Sequence, residues 1–186
     1  FSPNKVVTTG QGGMIVTNDD DLHTCLRELK DQGRPTRGKG PEDIHYSRGY
    51  NFKFTNLQAA LGLGQLHYLE NRINRLKRNH KLYVDQLSGI RGLSFLPFDI
   101  ESGELPLWTD LLTDQREELI IELQKSNIHG RRCWSPLHTQ QPYKLPDNNY
   151  SDAIALSSKF LWLPSAYTLQ DADIEYVCDK IKEIMQ

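Results

Sequence analysis

The sequence predicts an α/β chain, with α+β as the alternative for its C-terminal part. Three observations carry that prediction. Short runs rich in β-branched residues recur, apolar residues at helical spacing alternate with them, and glycine or proline clusters separate the two. The 186 residues suffice for one good core, or for one domain and a piece of another.

Lys5 to Thr9 and Met14 to Thr17 are β-favouring runs either side of Gly10-Gln11-Gly12-Gly13. They read as two short strands around a turn, since glycine reaches positive φ without a Cβ clash. A helix is expected from about Asp19 to Asp31, with Leu22, Cys25, Leu26 and Leu29 on one face. Gln32 to Tyr50 is rich in glycine, proline and basic side chains and reads as a long irregular loop, either functional or a plain surface excursion.

Thr55-Asn56-Leu57-Gln58 matches a capping box. Leu66, Leu69, Ile73, Leu76, Tyr83 and Leu87 then predict one long amphipathic helix, straight or bent, ending near Ser88-Gly89. Arg72, Arg75, Lys77, Arg78 and Lys81 on its other face read as a solvated surface. Beyond Leu93 the elements shorten. A strand is expected at Leu105 to Leu112, a helix capped by Asp114-Gln115-Arg116-Glu117 and running to about Ser126, and a strand at Ile128 to Cys133. A proline-rich loop through Pro146, a helix near Ser151 to Phe160 and a terminal helix from about Thr168 follow. Neither repeats nor low-complexity tracts occur.

A net charge of -2 gives no reason to expect nucleic acid or an anionic membrane as partner. No apolar run reaches bilayer length, and no signal-peptide layout is present. Cys25, Cys133 and Cys178 are scattered and lack metal-ligand spacing, which points to free thiols in a reducing cytoplasm and to no metal site.

The candidate chemistry starts at Lys5. A single lysine is ordinarily a solvated charge, yet lysine amines also bond carbonyl cofactors covalently. The segment "KVVTTGQGG" with "MIVTND", and "GYNFKFTNLQAALGLGQL" downstream, resembles the DegT/DnrJ/EryC1/StrS family of sugar aminotransferases. The resemblance continues through "RRCWSPLHTQQPY" and "LWLPSAYTL", in matching order over nearly the whole chain. It implies the C-terminal part of a fold-type-I transferase dependent on pyridoxal phosphate (PLP). Residues 1–70 would be the end of the large PLP-binding domain with the start of the connecting helix, and 71–186 the small C-terminal α/β domain. Lys5 aligns with the family's PLP-anchoring lysine, which also carries the proton during transfer. Asn51 aligns with a residue that reaches the cofactor phosphate of the other subunit of a homodimer, the active site being shared across the interface. The alternative for Asn51 is a turn or capping residue. Tyr50, Phe52 and Lys53 flank it, with Lys53 a second candidate phosphate contact.

His138 aligns with a histidine lining the substrate pocket, its alternative being a packed loop residue. Trp134 and Tyr143 either shape that pocket or anchor the loop. Arg34, Arg37, Lys39 and Arg48 are either counter-charge for a nucleotide diphosphate or solvated charge. Gly10, Gly12 and Gly13 align with the family's glycine-rich hairpin, where Glu often stands in place of Gln11. The family's phosphate-binding serine would fall just before Phe1, and Ser2 is a neighbour and no clean match. The acid that pairs with the cofactor's ring nitrogen lies upstream of the lysine in this family, so the chain alone is expected to bind PLP poorly or not at all. The implied reaction moves an amino group, with glutamate as the expected donor, to a nucleotide-linked keto-deoxysugar. The competing expectation is a truncated or split chain acting as a non-enzymatic structural or dimerisation module.

Overall fold

The computed structural model describes residues 1–35 and 44–186. It divides into two compact units, Phe1–Leu69 and Glu70–Gln186.

In the first unit, helix α1 spans Asp20–Lys30, and the Asp19 carboxylate caps it by accepting from the Leu22 amide. Two acids in its first turn and two bases in its last complement the helix dipole. Helix α2 spans Asn56–Leu66 behind the expected capping box, with the Thr55 and Gln58 side chains each bonding the other's backbone amide. The expected strands at residues 5–9 and 14–17 do not form. Among the described residues of this unit no strand lies beside them, and β-propensity without a pairing partner stabilises nothing. Met14, Ile15 and Val16 are instead exposed.

The expected single long helix is two, since α2 stops at Leu66 and α3 runs Leu69–Leu87. Gly62 and Gly64 weaken the last turns of α2, and the break at His67-Tyr68 falls where the two units meet in sequence. The second unit holds a four-stranded sheet in the order β1-β2-β4-β3, antiparallel throughout. Its strands are β1 Ser94–Phe95, β2 Thr109–Leu112, β3 Arg131–Arg132 and β4 Phe160–Leu163. Helices α4 (Arg116–Lys125), α5 (Ser151–Ser157) and α6 (Asp171–Ile184) complete it. Tyr83 and Leu87 of α3, Leu119 and Leu123 of α4, and Ile174, Cys178 and Ile181 of α6 form one core with Leu111, Leu161 and Leu163. Burial of this apolar surface is what holds the unit together.

Several expectations in this unit change. Strand β4, central together with β2, replaces the end of the helix expected near Ser151 to Phe160 and continues through Leu163, where no element is expected. Its partners lie far away in sequence, at residues 109–112 and 131–132. The strands expected at 105–112 and 128–133 shrink to the residues that can pair with it. Helix α4 has no side-chain cap; Asp114 pairs with Lys159 instead, at 2.9 Å. The basic face of α3 is not merely solvated either. Arg75 and Arg78 both bind Asp171 at the start of α6, and the Arg72 guanidinium lies 4.5 Å from the Tyr167 ring. Among the described residues no helix is long and apolar enough to cross a membrane.

Candidate active site

The segment carrying Lys5 is a compact loop stitched by threonines. The Lys5 amide donates to the Ser2 carbonyl at 3.1 Å and the Thr9 amide to the Phe1 carbonyl at 3.1 Å. The Thr8 hydroxyl receives the Gly10 amide, and the buried Thr9 hydroxyl donates to the Gln11 carbonyl at 2.6 Å. This leaves the Lys5 side chain on the exposed surface, where an amine is accessible to a carbonyl compound.

The glycines explain themselves at one position. Gly12 has φ +138°, and a Cβ there would sit 2.5 Å from the Phe54 ring, so backbone conformation and close approach both call for glycine. Helix α2 then braces the loop. Gln58, already part of the capping box, donates from Nε2 to the Gln11 carbonyl at 3.3 Å, and Gly62 lets the Thr9 methyl come close. The two quoted motifs, TTGQGG and FTNLQAALG, are thus one structural piece. The signal was in the sequence as the capping box, but its second task was not legible there.

Asn51 sits at the C-terminal end of α1. The Tyr50 and Phe52 amides donate to the Leu29 and Lys30 carbonyls at 2.6 and 3.0 Å, so the chain on either side of Asn51 is tied to the last turn of the helix. Asp31 and Asn51 form an isolated antiparallel bridge. The rings of Tyr50 and Phe52 stack at 5.0 Å, and the Asn51 side chain is exposed. Lys53 and Arg34, both named as candidate anion contacts, converge on Asp31 at 2.7 and 3.3 Å. Lys53 first, then Arg34, hold the Asp31 carboxyl below the usual carboxylate range. Of the remaining basic-loop candidates Arg48 is exposed, while Arg37 and Lys39 lie outside the described residues.

His138 belongs to the second unit. It occupies a single 3-10 turn, Leu137–Thr139, and is buried with 6% exposure. Its ring stacks on Tyr150 at 4.4 Å, and its Nε2 lies 3.4 Å from the Asp147 carboxylate without the alignment of a hydrogen bond. A buried ring nitrogen left without a hydrogen bond is costly, and a polar group supplied from outside the chain would relieve it. Tyr143 is exposed, and Trp134 joins an aromatic cluster with Trp108 and Trp162.

Lys5 and Asn51 therefore share the first unit and His138 lies in the second. As a set the first unit offers an accessible amine and an exposed amide donor, which suit a carbonyl and a phosphate respectively. That is part of what PLP needs, and the residues present fit it. Among the described residues no group of three or more His, Cys, Asp or Glu could hold a metal ion.

Comparison with known proteins covers the whole chain. The DegT/DnrJ/EryC1/StrS aminotransferase family model matches residues 1–182. GDP-perosamine synthase of Caulobacter vibrioides is 31% identical over 192 residues, covering 100% of this chain and 51% of that protein. The structure of DesI in the presence of its TDP-sugar product is 26% identical with a TM-score of 0.79, covering 97% of this chain and 47% of that one. Helicobacter pylori PseC, an aminotransferase of pseudoaminic acid biosynthesis, shares the fold at a TM-score of 0.82 and 20% identity, over 97% of this chain and 50% of that one. The chain spans about half the length of the curated relatives it matches. By its motifs, its fold and that match, the chain belongs to the DegT/DnrJ/EryC1/StrS aminotransferase family.

Proposed function

We propose that this chain is part of a PLP-dependent aminotransferase that moves an amino group, from glutamate, to a keto carbon of a nucleotide-linked deoxysugar. The observation that carries the reading is the family match over residues 1–182, with Lys5 in its motif and its side chain accessible. The relatives are consistent in substrate class, one making GDP-perosamine and another solved with a TDP-sugar product.

In this reading the first unit ends the large cofactor domain and the second is the small domain. PLP, when bound, supplies the electron sink for the amino group's carbon. Lys5 would hold it through its amine, and the same Nζ, when free, would accept and deliver the proton. The Asn51 amide donates to a phosphate oxygen, across the interface of a homodimer. His138 faces the substrate, where its Nε2 finds the hydrogen-bond partner it lacks among the described residues. The exposure of Lys5 supports the expectation, part of this same reading, that the chain alone holds the cofactor weakly.

The test is borohydride reduction after incubation with PLP, followed by peptide mass spectrometry. A phosphopyridoxyl adduct is expected at Lys5 above other surface lysines, and Lys5→Ala should remove it. The adduct should strengthen in a longer protein that supplies the other half of a relative's length. An adduct spread evenly over surface lysines in both proteins would overturn the assignment.

A further inference from the structure

On the second unit's sheet, Leu111, Leu161 and Leu163 point into the helical core, so by strand alternation Asp110 and Trp162 point to the opposite face. Directly paired residues share a face. Asp110 of β2, Trp162 of β4 and Arg131 of β3 therefore form one row across it. Trp162 is only 6% exposed on that side because two other indoles cover it. Trp108 stacks on it at 4.8 Å and 13°, and Trp134 meets it edge-on at 4.6 Å and 81°. Trp134 also meets Trp108 edge-on, at 5.5 Å and 83°.

The outermost ring is unlike the other two. Trp134 is held by two edge contacts, yet 57% of it is exposed. A ring serving only to seal the sheet would bury itself. One fixed in orientation and left open is pre-organised to stack a planar ligand at little entropic cost. Beside it, the Arg131 guanidinium lies 5.6 Å from the Trp162 ring and is exposed. Its neighbour Arg132 is committed to Glu117, whereas Arg131 makes no ion pair among the described residues. A guanidinium backed by an aromatic face keeps its N–H fork for an anionic oxygen pair. Asp110, the one acid in the row, is two strands away from Arg131, about 10 Å at ordinary strand spacing, and does not cancel it.

We propose that Trp134 and Arg131 form a subsite for the nucleoside diphosphate part of the substrate, Trp134 stacking on the base and Arg131 holding diphosphate oxygens. The assignment rests on the proposed nucleotide-sugar reaction and names chain residues for its recognition.

The chain reports on this site by itself, because its three tryptophans all belong to the cluster. Titration with GDP, UDP and TDP should give saturable quenching of intrinsic fluorescence with at least one of them. Trp134→Leu, read on the two remaining indoles and by calorimetry, should weaken binding by about ten-fold or more. Arg131→Gln should weaken the diphosphate but leave the corresponding nucleoside unaffected. Circular dichroism and the urea midpoint verify that each variant is folded. Absence of saturable binding to all three nucleotides, or binding that survives Trp134→Leu, overturns the proposal. The assay needs neither PLP nor Lys5, so its failure and that of the adduct test are read separately.

Discussion

Tyr83 offers the sharpest test of how the second unit is held. It is fully buried in α3, and its hydroxyl donates to the Pro164 carbonyl at 2.8 Å, just past the central strand β4. Burial pushes the phenol pKa up, so the group remains a protonated donor at neutral and mildly alkaline pH alike. Tyr83→Phe keeps the ring in the core and removes one hydrogen bond. Pro164 is only half-buried, so water can replace part of the lost bond, and the cost should be about 1 kcal/mol. Tyr83→Ala also removes the ring from a site in contact with three helices' worth of core, for a total of about 4 kcal/mol. Urea unfolding followed by tryptophan fluorescence reads this unit specifically, since all three indoles lie in it. With a slope of about 2 kcal/mol/M, the midpoint should fall by about 0.5 M for Phe and about 2 M for Ala, with the slope unchanged. An unchanged midpoint for Phe would refute the tie to Pro164. A Phe loss equal to the Ala loss would refute the assignment of most of the energy to the ring.

Asp171 links α6 to α3, and Arg78 first, then Arg75, hold its carboxyl at about 2, below the ordinary 3.8. A folded-state value below the unfolded one means its contribution is present above about pH 4 and lost as pH falls towards about 2. Asp171→Asn should therefore lower the urea midpoint at neutral pH, with the gap to the native protein closing over that acid window. Gly33 has φ +77°, and a Cβ there would sit 1.7 Å from the Ser47 carbonyl oxygen. Gly33→Ala should open the base of the loop and speed amide exchange at Tyr50 and Phe52, measured by NMR, around Asn51. Burial pushes the Cys178 thiol up to about 12, while Cys25 is exposed. Iodoacetamide at mildly alkaline pH should label Cys25 in the folded protein, and Cys178 only after unfolding, as mass spectrometry would show.

The features legible in the sequence are those whose causes lie within a few residues. The Thr55–Gln58 capping box forms where expected, and the apolar spacing from Leu69 to Leu87 and the run after Asp19 each become a helix, because all three act over one or two helical turns. The family motifs around Lys5, Asn51 and His138 were readable for the same reason, as short strings in register. What remained hidden depends on distant partners. The β4 run is a strand because residues 109–112 and 131–132 arrive beside it, and the β-favouring run after Lys5 is not one because no strand does among the described residues. Arg75 and Arg78 looked like solvated charge until α6 brought Asp171 to them, 93 and more residues away. Trp108, Trp134 and Trp162 had no relation in sequence at all. The sequence by itself determined the family, the approximate places of the helices though not their breaks and ends, and the lysine on which the proposed chemistry turns. Tertiary structure alone decided the sheet and the exposed indole beside Arg131, because pairing and stacking are set by which distant segments meet, and no local pattern encodes that.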